Sequence, residues 1–238
     1  MKLTLLKLDT KLFGFKVAKI LSPKLSQKKL QLILDKLKKQ NVRLVYWPSA
    51  STDKISQKAA TKLKGFLSSE QITYLIDLKK ITPPSDFISE VKIYQAKTPN
   101  TELKQLAIQA GTYSRFHTDP KLPKKLFHKL YNTWIKNSVN GSVATRVIVI
   151  PHKNKIIAMA TLGTKNKRGD IGLLAVNKNF RGKKLGTKLI YAAQKYFIEE
   201  GYSKAQVVTQ KANTAACHLY EKCGFHQEKI ENFYHFWL

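Results

Sequence analysis

The sequence predicts a mixed α/β (α+β) protein: a domain with a central mixed sheet, preceded by a small N-terminal α/β domain. Three observations predict this fold class. Strand-like and helix-like segments alternate along the 238 residues. The run Pro83-Pro84-Ser85 interrupts them and places a domain boundary near residue 90. An apolar strand at 170–176 leads directly into a basic, glycine-containing loop that opens an amphipathic helix.

The predicted N-terminal domain covers residues 1–90. Ser26 is placed to cap a helix in which Leu30, Ile33, Leu34 and Leu37 recur at i, i+3, i+4 and i+7. Pro48 is expected to end the short buried strand before it. The other predicted elements are extended segments at 3–8 and 13–20, a polar helix at 53–64 and a strand at 72–78.

The predicted C-terminal domain covers residues 91–238. A turn at 152–155 joins two strands as a hairpin, and Gly201 is expected to end the helix before it. The predicted strands are 91–96, 144–150, 156–164, 170–176, 205–209 and a closing segment that includes 233–238. The predicted helices are 101–110, 122–138, 184–200 and 213–222.

The net charge of +28 permits three interpretations. Lysines spread over both halves can form an ordinary solvated surface, can draw in anionic small molecules, or can neutralise nucleic-acid phosphates. The sequence carries no helix-turn-helix signature, RRM aromatic octamer or Cys/His finger, so we expect no nucleic-acid partner. An anionic small molecule is the expected partner, and the sequence leaves a homodimer open.

Composition also predicts where the protein works. No apolar run approaches the ~20 residues that a membrane span needs, and charge interrupts the first nine residues too early for a secretory signal. The two cysteines, Cys217 and Cys223, have no metal-ligand spacing and no evident partner base. We therefore expect a reduced, cytoplasmic protein with no membrane span, no metal and no nucleophilic cysteine.

The junction after residue 176 favours binding of a pyrophosphate. A helix N-terminus directs free backbone N–H groups and the positive end of its dipole outward, and the basic loop adds charge. Glycines let a backbone approach phosphates closely. In isolation, the segment could equally be a turn that needs glycines and carries lysines for solubility.

The loop Arg181-Gly182-Lys183-Lys184-Leu185-Gly186 resembles the acetyl-CoA motif of GNAT acetyltransferases. Lys184 replaces the first glycine of that motif, and we expect it to be tolerated at a negative φ. The resemblance implies a GNAT fold and an N-acetyltransferase that uses acetyl-CoA. It also implies that the strand before the loop diverges from its neighbour and pairs with the pantetheine arm through Leu174, Ala175 and Val176. The implied cofactor-binding residues of the loop and the helix start are Arg181, Gly182, Lys183, Lys184, Leu185, Gly186 and Thr187.

A second motif strengthens this resemblance. Asn213, Ala216, Tyr220, Gly224 and Phe225 fill the five positions of the GNAT signature that begins with an asparagine and ends with Gly-Phe. Alone, Asn213 could be a helix N-cap and Tyr220 a core aromatic. By resemblance, Asn213 contacts the cofactor arm and Tyr220 lies near its sulfur.

Shorter matches point to one group within the superfamily. Residues 112–119, 171–176 and 212–216, together with Asp9-Thr10-Lys11-Leu12-Phe13-Gly14, resemble bacterial TDP-4-amino-4,6-dideoxygalactose (TDP-fucosamine) N-acetyltransferases. The resemblance spans nearly the whole chain. It implies acetylation of a nucleotide-linked amino sugar in surface polysaccharide biosynthesis. Other amines, such as a protein N-terminus, are cationic acceptors that suit this basic chain poorly.

Direct attack of a neutral amine on the thioester is the implied reaction. Tyr220 is expected to protonate the departing thiolate without a strongly perturbed pKa, and a backbone amide near Leu174 or Ala175 to bind the oxyanion. The base is left open among Asp170, His117, Asp119, Glu228 and a water. Arg115, expected in a loop, suits the acceptor's diphosphate, and a structural ion pair between Arg115 and Asp119 is an equal alternative.

Overall fold

A computed structural model describes residues 2–84 and 86–238. Within these ranges ten strands form one mixed sheet in the order β1-β2-β3-β10-β4-β9-β8-β7-β6-β5. The strands are β1 Leu3–Leu5, β2 Lys16–Ile20, β3 Val42–Ala50, β4 Phe66–Asp77, β5 Lys92–Ile93, β6 Arg146–His152, β7 Lys155–Lys165, β8 Arg168–Val176, β9 Lys204–Gln210 and β10 His226–Trp237. The mixed α/β fold class is confirmed.

Helices accompany the strands along the chain. The α-helices are α1 Lys7–Phe13, α2 Gln27–Lys39, α3 Lys54–Lys62, α4 Thr101–Ala110, α5 Arg115–Thr118, α6 Lys124–Val139, α7 Leu185–Glu199 and α8 Thr214–Lys222. Short 3-10 turns lie at Leu78–Lys80, Asp86–Ile88 and Lys178–Phe180. No described helix is long and apolar enough to cross a membrane.

Strands from both sides of residue 90 are interleaved in the sheet. β4 lies between β10 and β9 and is antiparallel to both, while β10 also pairs with β3. Parallel pairs occur at β2–β3 and at β8–β9. The domain boundary near residue 90 stays a prediction, and the sheet is continuous across the two parts that it would separate.

Three apolar clusters fill the core. The first packs α7 and α8 on the sheet, and the second packs α1, α4, α5 and α6. The third packs α2 and α3. Successive residues of β6 alternate between the first two clusters, Ile148 and Ile150 in one and Val147 and Val149 in the other. Because side chains alternate along a strand, these two clusters cover opposite faces of the sheet.

Several local predictions are confirmed. Ser26 caps α2, accepting the Lys29 N–H at 3.4 Å, and the four apolar residues that predicted this helix are buried. Gly201 follows α7 at φ 79°. The hairpin turn between β6 and β7 is also present, with His152 opposite Lys155.

The start of the chain differs from its prediction. Residues 7, 8 and 13, predicted to be extended, lie in helix α1, and Gly14 ends this helix at φ 77°, its N–H donating to Thr10 O. Leu12 and Phe13 are buried against other elements. Tertiary contacts therefore stabilise a seven-residue helix that is too short to be stable alone.

The strand predicted to stop at Pro48 continues to Ala50. Pro48 lies opposite Phe233 of β10, while pairing of β3 with β2 ends at Tyr46. Proline is tolerated in a strand where one side lacks a partner that needs its N–H. The structure thus places Pro48 where a missing donor costs little.

Candidate active site

The strands β8 and β9 diverge within the sheet. They pair in parallel from Gly169 and Ala205 as far as Ile171 and Val207. Beyond that point β8 remains paired with β7 to Val176, and β9 remains paired with β4 to Gln210. The facing edges of the two strands therefore separate, as the resemblance implies, and among described residues no strand fills the gap.

A cavity of about 490 Å³ occupies this gap and extends toward α1, α5 and α6. At one end it is lined by the diverging strands and by Asn213, Ala216 and Tyr220. Its aromatic lining consists of Phe116, Tyr131, Trp134 and Phe233, besides Tyr220. Its charged lining consists of Asp9, Lys19, Arg115, Lys165 and Asp170. A cavity of this size and mixed lining is typical of a small-molecule site.

The loop after β8 leads into the start of α7. The side chains of Arg181, Lys183 and Lys184 are exposed. Lys184 is the N-cap residue of α7 but makes no side-chain capping hydrogen bond, and the first N–H bonded within the helix is that of Lys188. The preceding N–H groups at this positive helix end are therefore oriented to receive an anion.

The expectation of a negative φ at Lys184 is wrong. Lys184 has φ 58° and ψ 14°, and Gly182 has φ 78°. The left-handed conformation costs a residue with a Cβ about 1–2 kcal/mol. The loop thus keeps the turn that a glycine would favour and places a lysine in it at an energetic cost.

Gly186 has a packing role that the sequence did not predict. A Cβ at this position would lie 2.9 Å from Leu219 Cδ2 on α8. The missing side chain lets α7 and α8 approach each other. The contact between Gly186 and phosphate stays a prediction. The contacts of Leu185, of the half-exposed Thr187 and of the other loop residues with the cofactor also stay predictions.

The three strand residues predicted to bind the pantetheine arm have different surroundings. Leu174 lines the cavity, whereas the Ala175 side chain is buried in the core. The Val176 carbonyl accepts hydrogen bonds from Gln109 Nε2 at 2.6 Å and from Arg181 Nε at 3.4 Å. This carbonyl is thus already engaged, and Leu174 is the one of the three that lines the cavity.

The signature helix α8 brings Asn213 and Tyr220 to the same cavity. Asn213 caps α8, its Oδ1 accepting the Ala216 N–H at 3.4 Å, and also lines the cavity. Tyr220 is 5% exposed, with its ring 5.7 Å from that of Tyr74. Burial raises the pKa of Tyr220 far above its ordinary value, so the expectation of a weakly perturbed phenol is wrong. The hydroxyl keeps its proton throughout the working pH range.

Arg115 lies at the far part of the cavity, in the single-turn helix α5 instead of a loop. Its guanidinium carbon is 4.1 Å from the ring centroid of Phe116, 4.9 Å from that of Tyr46 and 5.0 Å from that of Phe233. Its Nε is buried without a hydrogen-bond partner in the described chain. Arg115 is therefore a partly buried cation that lies against aromatic faces and has donor capacity left for a ligand.

The two described residues Asp119 and Arg115 do not form an ion pair, which was one of the two predicted alternatives. Asp119 Oδ2 instead lies 2.7 Å from His235 Nδ1 and accepts a hydrogen bond from Trp237 Nε1 at 2.9 Å. Asp119 is 2% exposed and lies outside the cavity lining. Its assignment to the substrate stays a prediction that its position does not favour.

The four candidate bases are distributed over the molecule. Asp170 lines the cavity and accepts a hydrogen bond from Gln206 Nε2 at 2.8 Å. His117 packs on Phe127, and Glu228 pairs with Arg168 at 2.8 Å. Of the four, Asp170 alone lines the cavity.

Sequence reasoning missed several residues that line the cavity. The sequence places Asp9 in a motif and Tyr131 and Trp134 in a predicted helix without assigning them to a site, yet all three line the cavity. The signal that could have indicated Asp9 is the motif from Asp9 to Gly14, which the resemblance includes.

The arrangement can hold two ligands end to end. The gap between β8 and β9 presents unpaired strand edges, and the α7 N-terminus presents an anion site, so an extended anionic thioester fits this side. The other side offers a guanidinium, a carboxylate and aromatic faces. Between them Tyr220 supplies a neutral hydroxyl that can donate a proton.

Comparisons with known proteins agree with this geometry. The Acetyltransferase (GNAT) family matches residues 107–225, half of the chain. The spore coat polysaccharide biosynthesis protein SpsD of Bacillus subtilis is 27% identical over 164 residues, which cover 67% of this chain but 56% of SpsD.

Solved structures share the fold. A GCN5-related N-acetyltransferase from Sphaerobacter thermophilus superposes with a TM-score of 0.64 at 12% identity, over 99% of this chain and 76% of that one. A functionally unknown conserved protein from Staphylococcus epidermidis superposes with a TM-score of 0.64 at 12% identity, over 95% of this chain and 87% of that one.

Proposed function

The chain belongs to the GNAT family of acetyltransferases, and we propose that it transfers the acetyl group of acetyl-CoA to the amine of a nucleotide-linked amino sugar of the TDP-4-amino-4,6-dideoxyhexose type. The single observation that carries this proposal is the cavity that joins the gap between β8 and β9 to the Arg115 region. Donor and acceptor can approach each other inside it, with Tyr220 in the lining.

Residues of the donor side fit acetyl-CoA. The gap after Ile171 leaves strand edges for the amides of the pantetheine arm, with Leu174 and Asn213 beside it. The uncapped start of α7 and the exposed Lys183 and Lys184 suit the pyrophosphate. Acetyl-CoA supplies the activated acyl group, and the chain supplies binding and proton transfer.

Tyr220 is the proposed general acid. Its burial keeps the phenol protonated and available as a donor but raises its pKa above the ~8.5 of a thiol, so donation to the leaving thiolate must be coupled to reprotonation of Tyr220 by the nitrogen that has attacked the thioester. The amine nitrogen attacks the thioester carbon directly, without an acyl-enzyme. Cys217 and Cys223 are buried, and burial raises the pKa of Cys223 to about 11, which disfavours a thiolate nucleophile.

The acceptor side suits a molecule with an anionic group and rings. Arg115 can donate to a diphosphate, with Lys19 and Lys165 in the same lining. Trp134 stacks on Tyr131 at 5.7 Å and 27°, and this pair can pack against a sugar or base ring. The partial likeness to SpsD, whose name places it in spore coat polysaccharide biosynthesis, supports an acceptor of this class.

The test is a comparison of acceptors. The protein is incubated with acetyl-CoA and, in parallel, TDP- and UDP-linked amino sugars, free amino sugars and polyamines, while release of free thiol is followed. We expect a TDP-amino sugar to have the highest kcat/KM. Equal or better turnover of a polyamine or a free amino sugar would contradict the proposed acceptor class.

Arg115→Lys provides a variant for the same assay. The substitution keeps the charge and removes the planar fork that pairs bidentately with phosphate. We expect a KM for the sugar nucleotide raised about tenfold or more, a loss of roughly 1.4 kcal/mol in binding, with acetyl-CoA affinity unchanged. An unchanged acceptor KM in this variant would remove Arg115 from the acceptor site.

A further inference from the structure

We propose that Asp9, on the first helix of the chain, receives the acceptor amine and accepts a proton from it. The proposal rests on the acetyl transfer proposed above and names the general base for that reaction. It assigns a catalytic role to the N-terminal segment, which lies outside residues 107–225 matched by the family. The active site would then be incomplete without residues 7–13.

Helix α1 is fixed rigidly at the cavity. The Leu6 N–H donates to Val17 O at 2.8 Å, and the Val17 N–H donates to Thr10 Oγ1 at 3.1 Å. Lys129 Nζ, on α6, donates to Leu12 O at 2.9 Å. A carboxylate on this helix is therefore positioned by bonds to both neighbouring elements, as a catalytic group requires.

One face of α1 lines the cavity. Leu8, Asp9 and Leu12 all belong to the lining, and residues three and four apart share a helix face. Leu8 and Leu12 flank the carboxylate with apolar surface, and Phe116 continues that surface on α5. A carboxylate in such surroundings is partly desolvated.

Charged and titratable groups face Asp9 from neighbouring elements. Arg115 on α5 acts on it electrostatically, the buried hydroxyl of Tyr46 on β3 lies close to it, and Lys19 on β2 lines the same cavity. Burial raises the pKa of Asp9 above its ordinary value, although Arg115 and the Tyr46 hydroxyl oppose the rise. A carboxylate with a raised pKa binds a proton more strongly and is a better base.

The cavity contains one other carboxylate among described residues, that of Asp170. Its Oδ1 is occupied by Gln206 Nε2 at 2.8 Å, at the point where β8 and β9 still pair. Asp9 makes no ion pair with a described residue, and Arg115, the cation that we assign to the acceptor's anionic group, acts on it electrostatically. Geometry therefore favours Asp9 over Asp170 for the amine.

The proton balance of the reaction is complete with these groups. The acceptor enters as an ammonium ion with three protons on nitrogen, and its amide product keeps one. Asp9 accepts the first proton and passes it to solvent, and the freed lone pair forms the C–N bond while the C–S bond breaks. Tyr220 protonates the sulfur and is reprotonated by the nitrogen's second proton.

The test compares Asp9→Asn with two matched variants that make the same chemical change. Asp170→Asn removes the other cavity carboxylate, and Asp35→Asn removes an exposed carboxylate on α2. Each variant is assayed with acetyl-CoA and the best acceptor from the panel above. Calorimetry with acetyl-CoA reports whether the donor site remains folded.

We expect Asp9→Asn to lower kcat at least about 10²-fold with unchanged acetyl-CoA affinity, and to remove the acid limb of the kcat/KM profile. Asp35→Asn should match the wild type, and Asp170→Asn should lose less than Asp9→Asn. Turnover by Asp9→Asn within a few-fold of wild type, or a larger loss in Asp170→Asn, would overturn the proposal.

The panel separates this proposal from the proposed function. If the wild type prefers an amine of another class, the acceptor class is wrong, and Asp9→Asn is judged on that amine. If the wild type acetylates TDP-amino sugars and Asp9→Asn does so equally well, only the role of Asp9 fails. Failure of the wild type to acetylate every amine tested would overturn both.

Discussion

His235 lies on the last strand, β10, and Asp119 is the residue that directly follows α5. The distance from His235 Nδ1 to Asp119 Oδ2 is 2.7 Å. Burial alone would raise the pKa of Asp119, but hydrogen bonds from His235, Trp237 and the Lys121 N–H lower it below its ordinary value. Burial also lowers the pKa of His235, against the opposing effect of Asp119. The pair is thus a neutral imidazole, with its proton on Nδ1, donating to a carboxylate. This bond fixes α5, and with it Arg115, to β10.

The first prediction concerns stability between pH 7 and pH 5. In the unfolded chain His235 has a pKa of ~6.5, whereas its pKa in the folded chain is lower. As the pH decreases below ~6.5 the unfolded chain therefore binds a proton that the folded chain does not, and the free energy of unfolding decreases. This decrease in stability ends once the pH is below the pKa of His235 in the folded chain. Stabilisation by ionised Asp119 is lost only at lower pH, below ~3.9. Urea unfolding at several pH values should show a flatter dependence for His235→Gln than for the wild type. His226→Gln, at an exposed position of the same strand, is the control, and equal slopes in all three proteins would contradict the prediction.

The second prediction concerns Tyr220→Phe. The variant keeps the ring that packs beside Tyr74 and loses only the hydroxyl, so fold and acetyl-CoA affinity should persist. Without its proton donor the thiolate leaves poorly, and kcat should fall at least about 10²-fold. Because burial raises the pKa of the phenol, we expect no alkaline limb from Tyr220 in the working pH range, contrary to the limb that an ordinary phenol would produce. Turnover within a few-fold of wild type would show that Tyr220 serves only in packing.

The third prediction concerns the strained turn before α7. Lys184→Gly should raise the free energy of unfolding by up to about 1 kcal/mol, because glycine has no Cβ to strain at φ 58°. Lys183→Gly makes the same charge change at a residue without a positive φ and should lower stability by about 0.5–1 kcal/mol. Denaturant unfolding measures both. If the two variants shift stability in the same direction, strain at Lys184 is not significant.

The fourth prediction concerns the contact between α7 and α8. Gly186→Ala places a Cβ 2.9 Å from Leu219 Cδ2, so Leu219 must move, and the variant should gain less than the ~1 kcal/mol that alanine ordinarily gains over glycine in a helix. In the double variant with Leu219→Ala the added methyl has room, so the double variant should be more stable than the sum of the two single effects predicts. Additive effects would show that the helices already accommodate a methyl at this position.

The fifth prediction concerns the net charge of +28. If the excess lysines attract an anionic acceptor, raising the salt concentration to physiological ionic strength should lower kcat/KM and leave kcat nearly unchanged, since a Debye length of ~8 Å screens steering. Initial rates at several salt concentrations measure this. A salt-independent kcat/KM would assign the lysines to an ordinary solvated surface.

Much of the C-terminal half was predictable from local spacing. The strand, loop and helix around Gly182 and the signature from Asn213 to Phe225 lie within short windows, where side-chain periodicity and glycine positions report directly on structure. The same holds for the Ser26 cap and the hairpin after His152. These elements occur close to where they were predicted.

Relationships between distant residues could not be predicted in this way. Insertion of β4 between β9 and β10 depends on pairing partners more than 100 positions apart. The segment α1 is a helix because α5 and α6 bury its apolar side. Asp119 meets His235 instead of Arg115 for the same reason.

The sequence by itself determined the family resemblance and predicted the loop before α7 and the signature that contains Tyr220, because each depends on residues that are near one another in the chain. Only the tertiary structure placed Asp9 in the cavity and Gly186 against Leu219, and only it gave Lys184 a left-handed backbone. Burial, charge pairing and steric fit are properties of residues brought together by folding, and local sequence spacing does not encode which distant residues meet.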